Sequence, residues 1–329
     1  MCKTGFVAVA VALLGMVAGC THSPPAATPM TAIDNDKRES PIDDTKVDAL
    51  SEMATAHFAA QCEAMSTTHF DEGQIALYGK ACRANDAESC TRVGGAYLCG
   101  VGVVKNDDVA VSMFEKACAA DAKRCNVLGA ALIEGKMTKR DLPRAFALYE
   151  RACDQGSAAV CGAYGSLLLS AGKPEAHAHG VAMLTKGCDG GDADACANLG
   201  VAHYNGIGTT KDTTRAVALA QKACEKESAF GCTLYANALV TGTGVAKDEA
   251  RAAKLFGIAC DGGNMPACIG AAQCAYFGIG TERDVAKAGE LLTKACDKGQ
   301  GEACRLLADY GASGHPVSAS EHGTNPTLF

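Results

Sequence analysis

Nineteen cysteines stand among 329 residues, and cysteine offers three chemistries: disulfides, metal ligation and thiol redox catalysis. Spacing has to choose between them. Fourteen fall into seven pairs, 82/90, 118/125, 153/161, 188/196, 224/232, 260/268 and 296/304, whose first members lie 35 or 36 residues apart. Structural zinc sites want two close pairs such as C-x2-C, and thioredoxin-type chemistry wants the same motif; the chain contains none. Histidine is no richer in promise. His177-Ala178-His179 lacks the remaining ligands of an H-x-H-x-D-H cluster, and residues two apart on a helix point to different sides, so these read as solvated surface histidines. Asp189, Asp192 and Asp194 do not fit the spacing of a calcium loop and read as helix-capping residues. The G-x-G turns lack the third glycine of a dinucleotide fingerprint and form no G-x4-G-K-[ST]. No catalytic residue, metal or cofactor is expected from these motifs.

The elements that carry the cysteines are repeats. A fixed period of this size marks stacked supersecondary units, each burying its apolar face against its neighbours. In Ala195 to Cys224 apolar and small residues recur at spacings of three and four on both sides of a glycine turn, which predicts two helices. Helix A is expected over about Asp192 to Tyr204 and helix B over about Asp212 to Glu225, with GIGTTKD supplying glycines for the turn and an Asp to cap helix B. His203 falls in an aromatic or polar slot of its repeat, where a packed core or hydrogen-bonded role is expected rather than catalysis. With 48% apolar residues the chain can build a core, and a net charge of -7 removes the broad basic surface that nucleic acid would need.

These units resemble the Sel-one-like repeat, a relative of the tetratricopeptide repeat, over about Asp48 to Tyr310. The resemblance rests on Leu128-Gly129 and Leu199-Gly200, on the turns GVGVVKND (100 to 107), GIGTTKD (206 to 212), GTGVAKD (242 to 248) and GIGTERD (278 to 284), and on the A-C-D-x-G closures. It implies an all-α fold, a right-handed α/α solenoid of about seven 36-residue helix hairpins. The cysteine pairs resemble the secreted branch of Helicobacter cysteine-rich proteins. Three places depart from the pattern. The 118/125 pair is one residue short, GKMTKRD (135 to 141) has lost its second glycine, and SAGKPEAHAHG (170 to 180) replaces a turn altogether.

Cysteines eight apart on one unbroken helix would sit about 12 Å apart, whereas a bridge needs Cα atoms about 4.4 to 6.8 Å apart. A disulfide therefore requires the helix to break between them. CDQGSAAVC, CDGGDADAC, CDGGNMPAC and CDKGQGEAC each place a glycine just past the first cysteine, where a helix would end. Each bridge is then expected to staple the end of a B helix to the start of the next A helix. Cys62 and Cys99 occupy similar points of successive A helices and are candidates for a further bridge, which would leave Cys274 as a single buried thiol.

The ends of the chain read differently. Residues 1–19 have the form of an export signal, with Lys3, an apolar run from Phe6 to Val17, and small residues before Cys20. Val17-Ala18-Gly19-Cys20 resembles a bacterial lipobox, which implies lipidation of Cys20, with Thr21 after it implying the outer membrane. An ordinary secretory signal is the alternative. Residues 20–46 read as a lipidated, disordered tether, residues 47–310 as the repeat domain, and residues 311–329 as a disordered tail.

Resemblance to the cysteine-rich branch also implies penicillin binding or slow β-lactam hydrolysis. The one S-x-x-K, Ser170-Ala171-Gly172-Lys173, lies in a glycine and proline turn; no S-D-N follows, and the only K-T-G is Lys3-Thr4-Gly5. The expected function is a rigid envelope scaffold that binds a protein, peptide or peptidoglycan fragment and touches the membrane only through lipid. A β-lactamase-like hydrolase is the alternative implied by resemblance, and a passive envelope spacer is a third reading.

Overall fold

The computed structural model describes residues 71–312 together with residues 58, 59, 62, 63 and 65. The expected export signal, Cys20, the tether over residues 20–46 and all but the first two residues of the expected tail lie outside the described residues. The chain divides into two compact units, Met1–Gly190 and Gly191–Phe329.

Every element of the first unit is helical among the described residues: α1 (Glu72–Arg83), α2 (Ala87–Cys99), α3 (Asp107–Ala120), α4 (Cys125–Glu134), α5 (Leu142–Asp154), α6 (Ala158–Ala171) and α7 (His177–Asp189). The second unit contains α8 (Ala193–Asn205), α9 (Thr213–Glu225), α10 (Ala229–Thr241), α11 (Glu249–Asp261), α12 (Met265–Phe277), α13 (Val285–Asp297) and α14 (Gly301–Ala312). A and B helices alternate as the period requires. The last helix runs two residues into the segment expected to be tail, and Tyr310 near its end stacks on Tyr276 with ring centroids 3.8 Å apart.

Short polar residues start the helices. Asp141, Asp212, Asp248 and Asp284 each accept a hydrogen bond from the backbone N–H three residues on, as do Asp86, Asn106, Asp192 and Asn264. Such a cap contributes about 1 kcal/mol, and it fixes helix starts to the residue.

Within a hairpin, the A helix ends on a glycine in the left-handed region, with φ between 68° and 73° at Gly100, Gly135, Gly206, Gly242 and Gly278. The turn is then closed by one backbone bond, such as Asp212 N–H to His203 carbonyl at 2.8 Å or Asp248 N–H to Leu239 carbonyl at 3.0 Å. The second glycine has a separate task. A Cβ on Gly280 would lie 2.0 Å from the Glu249 carbonyl oxygen, and one on Gly244 would lie 2.8 Å from that of Thr213, so the bare backbone lets each turn rest on the start of the preceding B helix. In the first unit, GKMTKRD lacks that glycine but keeps its closing bond, Asp141 N–H to Leu132 carbonyl at 3.1 Å, and buries Met137.

Between hairpins the break is made by the third residue after the first cysteine. It has positive φ in six repeats: Asn85 (65°), Gly156 (83°), Gly191 (101°), Glu227 (65°), Gly263 (86°) and Gly299 (85°). Glycine explains four of these. Asn85 and Glu227 hold the same conformation with a side chain, which sequence inspection for glycine does not find. In the short 118/125 pair a 3-10 turn over Ala122–Arg124, started by Asp121, replaces the left-handed residue and takes up the missing one. The structure places Cys82–Cys90, Cys118–Cys125, Cys153–Cys161, Cys224–Cys232, Cys260–Cys268 and Cys296–Cys304 as disulfides with Cα separations of 4.3 to 4.8 Å. Cys188 and Cys196 are also disulfide-bonded. Closing a loop of this size is worth about 2.6 kcal/mol by chain entropy. Cys62 bridges Cys99 with Cα atoms 5.2 Å apart.

The departing segment SAGKPEAHAHG ends α6 at Ala171, runs extended through Gly172 and Lys173, and enters α7 by a 3-10 turn over Pro174–Ala176. The two helices meet at glycine: a Cβ on Gly165 would lie 2.7 Å from the Gly180 carbonyl oxygen. Elsewhere glycine makes room for an aromatic ring, as Gly94 does for Phe114, Gly129 for Tyr149 and Gly270 for Phe256.

Two substitutions test this backbone. Gly280→Ala is expected to cost at least about 3 kcal/mol, since it adds both a backbone clash and a strained φ. Glu227→Gly is expected to stabilise by about 0.5 to 1 kcal/mol, because it relieves a left-handed non-glycine residue. Denaturant unfolding of the disulfide-intact protein measures both.

Candidate binding surface

Counting from the cysteines puts every repeat on one frame. Within each unit, three positions mark the groove between successive B helices: the residue three before the first cysteine, the residue three after the second, and, on the next B helix, the residue nine before its own first cysteine. Their chemistry changes from repeat to repeat. Between α3 and α5, the Arg144 guanidinium donates to the Glu115 carboxylate at 3.1 Å. Between α5 and α7, Glu150 accepts from the Tyr164 hydroxyl at 3.4 Å and lies 3.7 Å from His179 Nε2, while the His179 ring meets the Tyr164 ring edge-on. Between α9 and α11 the same positions hold Gln221, Tyr235 and Arg251, and the guanidinium lies 5.0 Å from the tyrosine ring centroid. Between α11 and α13 they hold Gly257, Ala271 and Lys287, and a Cβ on Gly257 would meet nothing within 4 Å.

A second contact ties successive B helices at their ends. The carboxylate just after the first cysteine faces a lysine two before the next first cysteine: Asp154 accepts from Lys186 Nζ at 2.9 Å, and Asp261 lies 3.8 Å from Lys294 Nζ. Between α9 and α11 the carboxylate is Glu225, but the lysine position is Ile258, whose surface is 62% exposed. There the groove opens into a cavity of about 520 Å³. Tyr235, Leu255, Ile258 and the Cys224–Cys232 disulfide give it apolar walls, while Glu225, Glu227 and Arg251 supply charge.

Residues singled out from the sequence lie elsewhere. Ser170 lies one residue before the end of α6, where its hydroxyl donates to the Leu167 carbonyl at 3.2 Å, and Lys173 follows beyond the extended Gly172. No single helix carries both. His177 and His179 open α7, and His179 is half-exposed beside Glu150. Asp192 caps α8 and Asp194 accepts from the Ser228 hydroxyl at 2.6 Å, while Asp189 is the last residue of α7. Among the described residues no cluster of three or more His, Cys, Asp or Glu side chains is placed to hold a metal.

His203 is 5% exposed and takes the seat that Leu132, Leu168 and Leu239 occupy in other repeats. Burial lowers its pKa, as does the Arg215 charge; a hydrogen bond to the Thr210 backbone and the Asp212 charge act the other way. Its Nδ1 has no hydrogen-bond partner among the described residues. Among the described residues Cys274 is the free cysteine, 3% exposed, and burial together with the Glu249 charge pushes its thiol up to about 11.

The cavity residues Glu225, Glu227, Tyr235, Arg251 and Ile258 were not among the residues expected to matter. The signal that finds them is the frame itself: Ile258 stands where Lys186, Lys222 and Lys294 stand in other repeats.

The Sel1 repeat model matches residues 87–121, 125–157, 193–228, 229–264 and 266–300, more than half of the chain. The chain therefore belongs to the Sel1-repeat family. Among solved structures it is similar to c5321, a protective antigen of uropathogenic Escherichia coli strains with an SLR fold (21% identity, TM-score 0.62, covering 74% of this chain and 53% of that one). It is also similar to a Sel1 repeat protein from Oxalobacter formigenes (21% identity, TM-score 0.56, 75% and 96%). Helicobacter pylori cysteine rich protein B matches at 30% identity and a TM-score of 0.33, over 41% of this chain and 97% of that one. The match thus spans about half the length of the E. coli antigen, and the likenesses to the E. coli and O. formigenes structures show the fold. No curated protein matches the chain significantly. Residues 158–192, which the family model leaves unmatched, contain the replaced turn between α6 and α7.

Two measurements follow from the buried groups. The neutral form of His203 is favoured in the fold, so its contribution is intact above about pH 6.5 and is lost as pH falls through that value toward the lowered folded pKa. Urea titrations at pH 7.5 and 5.5 are expected to show a smaller acid loss for His203→Leu than for the unsubstituted protein. Peptide mass mapping after brief iodoacetamide treatment is expected to find Cys274 unmodified in native protein and modified after denaturation.

Proposed function

We propose that the protein is an exported, lipid-anchored scaffold of the bacterial envelope that binds a protein, peptide or peptidoglycan fragment through the variable surface of its helix hairpins. The observation that carries this reading is the constant frame with changing groove chemistry. Disulfides close the junctions between hairpins and side-chain caps start most of the helices, while the same three groove positions present an ion pair, a Glu-Tyr-His group, a Gln-Tyr-Arg group or open space. A rigid backbone loses little entropy on binding, so surface side chains can be devoted to recognition.

Abundant disulfides belong to an oxidising compartment, which supports export. The lipobox-like stretch before Cys20 supports anchoring by lipid, and the residue after it supports the outer membrane. β-Lactam hydrolysis rests on resemblance alone, and the helix end between Ser170 and Lys173 gives that reading no support.

Disulfide-intact protein immobilised and exposed to envelope extract and muropeptides is expected to retain a specific binder that a reduced and alkylated control does not. Retention by neither, or equally by both, would count against the scaffold. Cys20→Ser is expected to move the protein from the membrane fraction to the soluble exported fraction.

A further inference from the structure

We infer that the groove between α9 and α11 binds a lysine-bearing segment of a partner protein, the lysine taking the place that an internal lysine holds in neighbouring repeats. The inference rests on the scaffold reading and narrows it to one site and one ligand chemistry.

The first support is the pattern of contacts. Where the frame is complete, the carboxylate at the end of one B helix receives an ammonium from the next, as Asp154 does from Lys186 and Asp261 from Lys294. In this groove Ile258 replaces the lysine, and Glu225 forms no ion pair among the described residues; it accepts from the Gln221 side-chain amide at 2.8 Å. Glu227 adds a second exposed carboxylate on the same rim, again unpaired among the described residues. Two acidic groups that form no ion pair among the described residues, next to a recess, favour a cation brought from outside.

The second support is the shape and lining of the recess. Tyr235, Leu255 and Ile258 offer apolar surface for the aliphatic stem of a lysine and for an apolar neighbour in the same segment. Arg251, stacked on Tyr235 and free of ion pairs among the described residues, offers hydrogen-bond donors for a main-chain carbonyl of that segment. A cavity of about 520 Å³ has room for a few side chains of an extended peptide.

The third support is Glu227. Its φ of 65° is a conformation that glycine adopts at the same position in four other repeats. A glutamate is a poor residue for this turn, and its carboxylate is held on the cavity rim at a cost in backbone strain. Strain kept at one repeat and avoided at most others points to a use for the side chain.

The test uses disulfide-intact protein and an array of octapeptides with a fixed central lysine beside leucine or phenylalanine. The unsubstituted protein is expected to bind a subset, and replacing that lysine by norleucine is expected to weaken binding ten-fold or more. Ile258→Lys supplies the missing cation from within and is expected to weaken the same peptides by at least ten-fold. Because the residue is exposed, circular dichroism and the disulfide count should not change. Glu227→Gly is expected to weaken peptide binding while raising stability, a combination that a merely structural role would not give.

The inference is overturned if no peptide of the array binds, if the norleucine peptides bind as well, or if Ile258→Lys leaves binding within two-fold. A muropeptide that displaces the peptides more strongly than they displace one another would overturn the protein segment as occupant. Envelope proteins retained equally by unsubstituted and Ile258→Lys protein would remove this groove and leave the scaffold standing, whereas retention of nothing would remove the scaffold itself.

Discussion

The structure depends on a crosslink too short for the helix it interrupts. Two cysteines eight residues apart on a continuous helix are separated by about 12 Å, more than twice the 4.3 to 4.8 Å between the bridged Cα atoms here. The bond therefore demands a reversal between them, and the reversal demands a residue that tolerates positive φ or a 3-10 turn. Once both are in place, the end of each B helix and the start of the next A helix are fixed by covalent geometry as well as by packing. Redox compartment and fold are thereby coupled.

A backbone fixed so locally leaves the outer positions of each repeat free to differ. Glu115 and Arg144 close one groove with an ion pair, Glu150 gathers Tyr164 and His179 in another, and Ile258 leaves a third without its lysine. Buried positions differ too, within narrower limits. His203 sits in a leucine seat where burial lowers its pKa, and burial raises that of the Cys274 thiol. The strain at Glu227 is tolerable because the Cys224–Cys232 bond and the flanking helices determine the turn without it.

Much of this was legible in the sequence. Helix A and helix B of the fourth hairpin were expected from Asp192 and Asp212, and the helices begin one residue after each, because a capping carboxylate marks a helix start locally. Glycines past the first cysteine showed four of the breaks. Asn85 and Glu227 hid two others, since a crosslink can impose a conformation that local preference disfavours. The stacking of Tyr310 on Tyr276 is a contact across 34 residues, which local sequence does not show. The groove was missed for the same reason: Glu225 and Ile258 gain meaning only when it is known which positions of successive B helices face one another.

The most direct measurement is disulfide mapping of the native protein by mass spectrometry of peptides cleaved without reduction. The account predicts that Cys82 is joined to Cys90, Cys118 to Cys125, Cys153 to Cys161, Cys224 to Cys232, Cys260 to Cys268 and Cys296 to Cys304, with Cys274 as a thiol. Free thiols at those twelve positions, or bonds joining cysteines of different pairs, would contradict it.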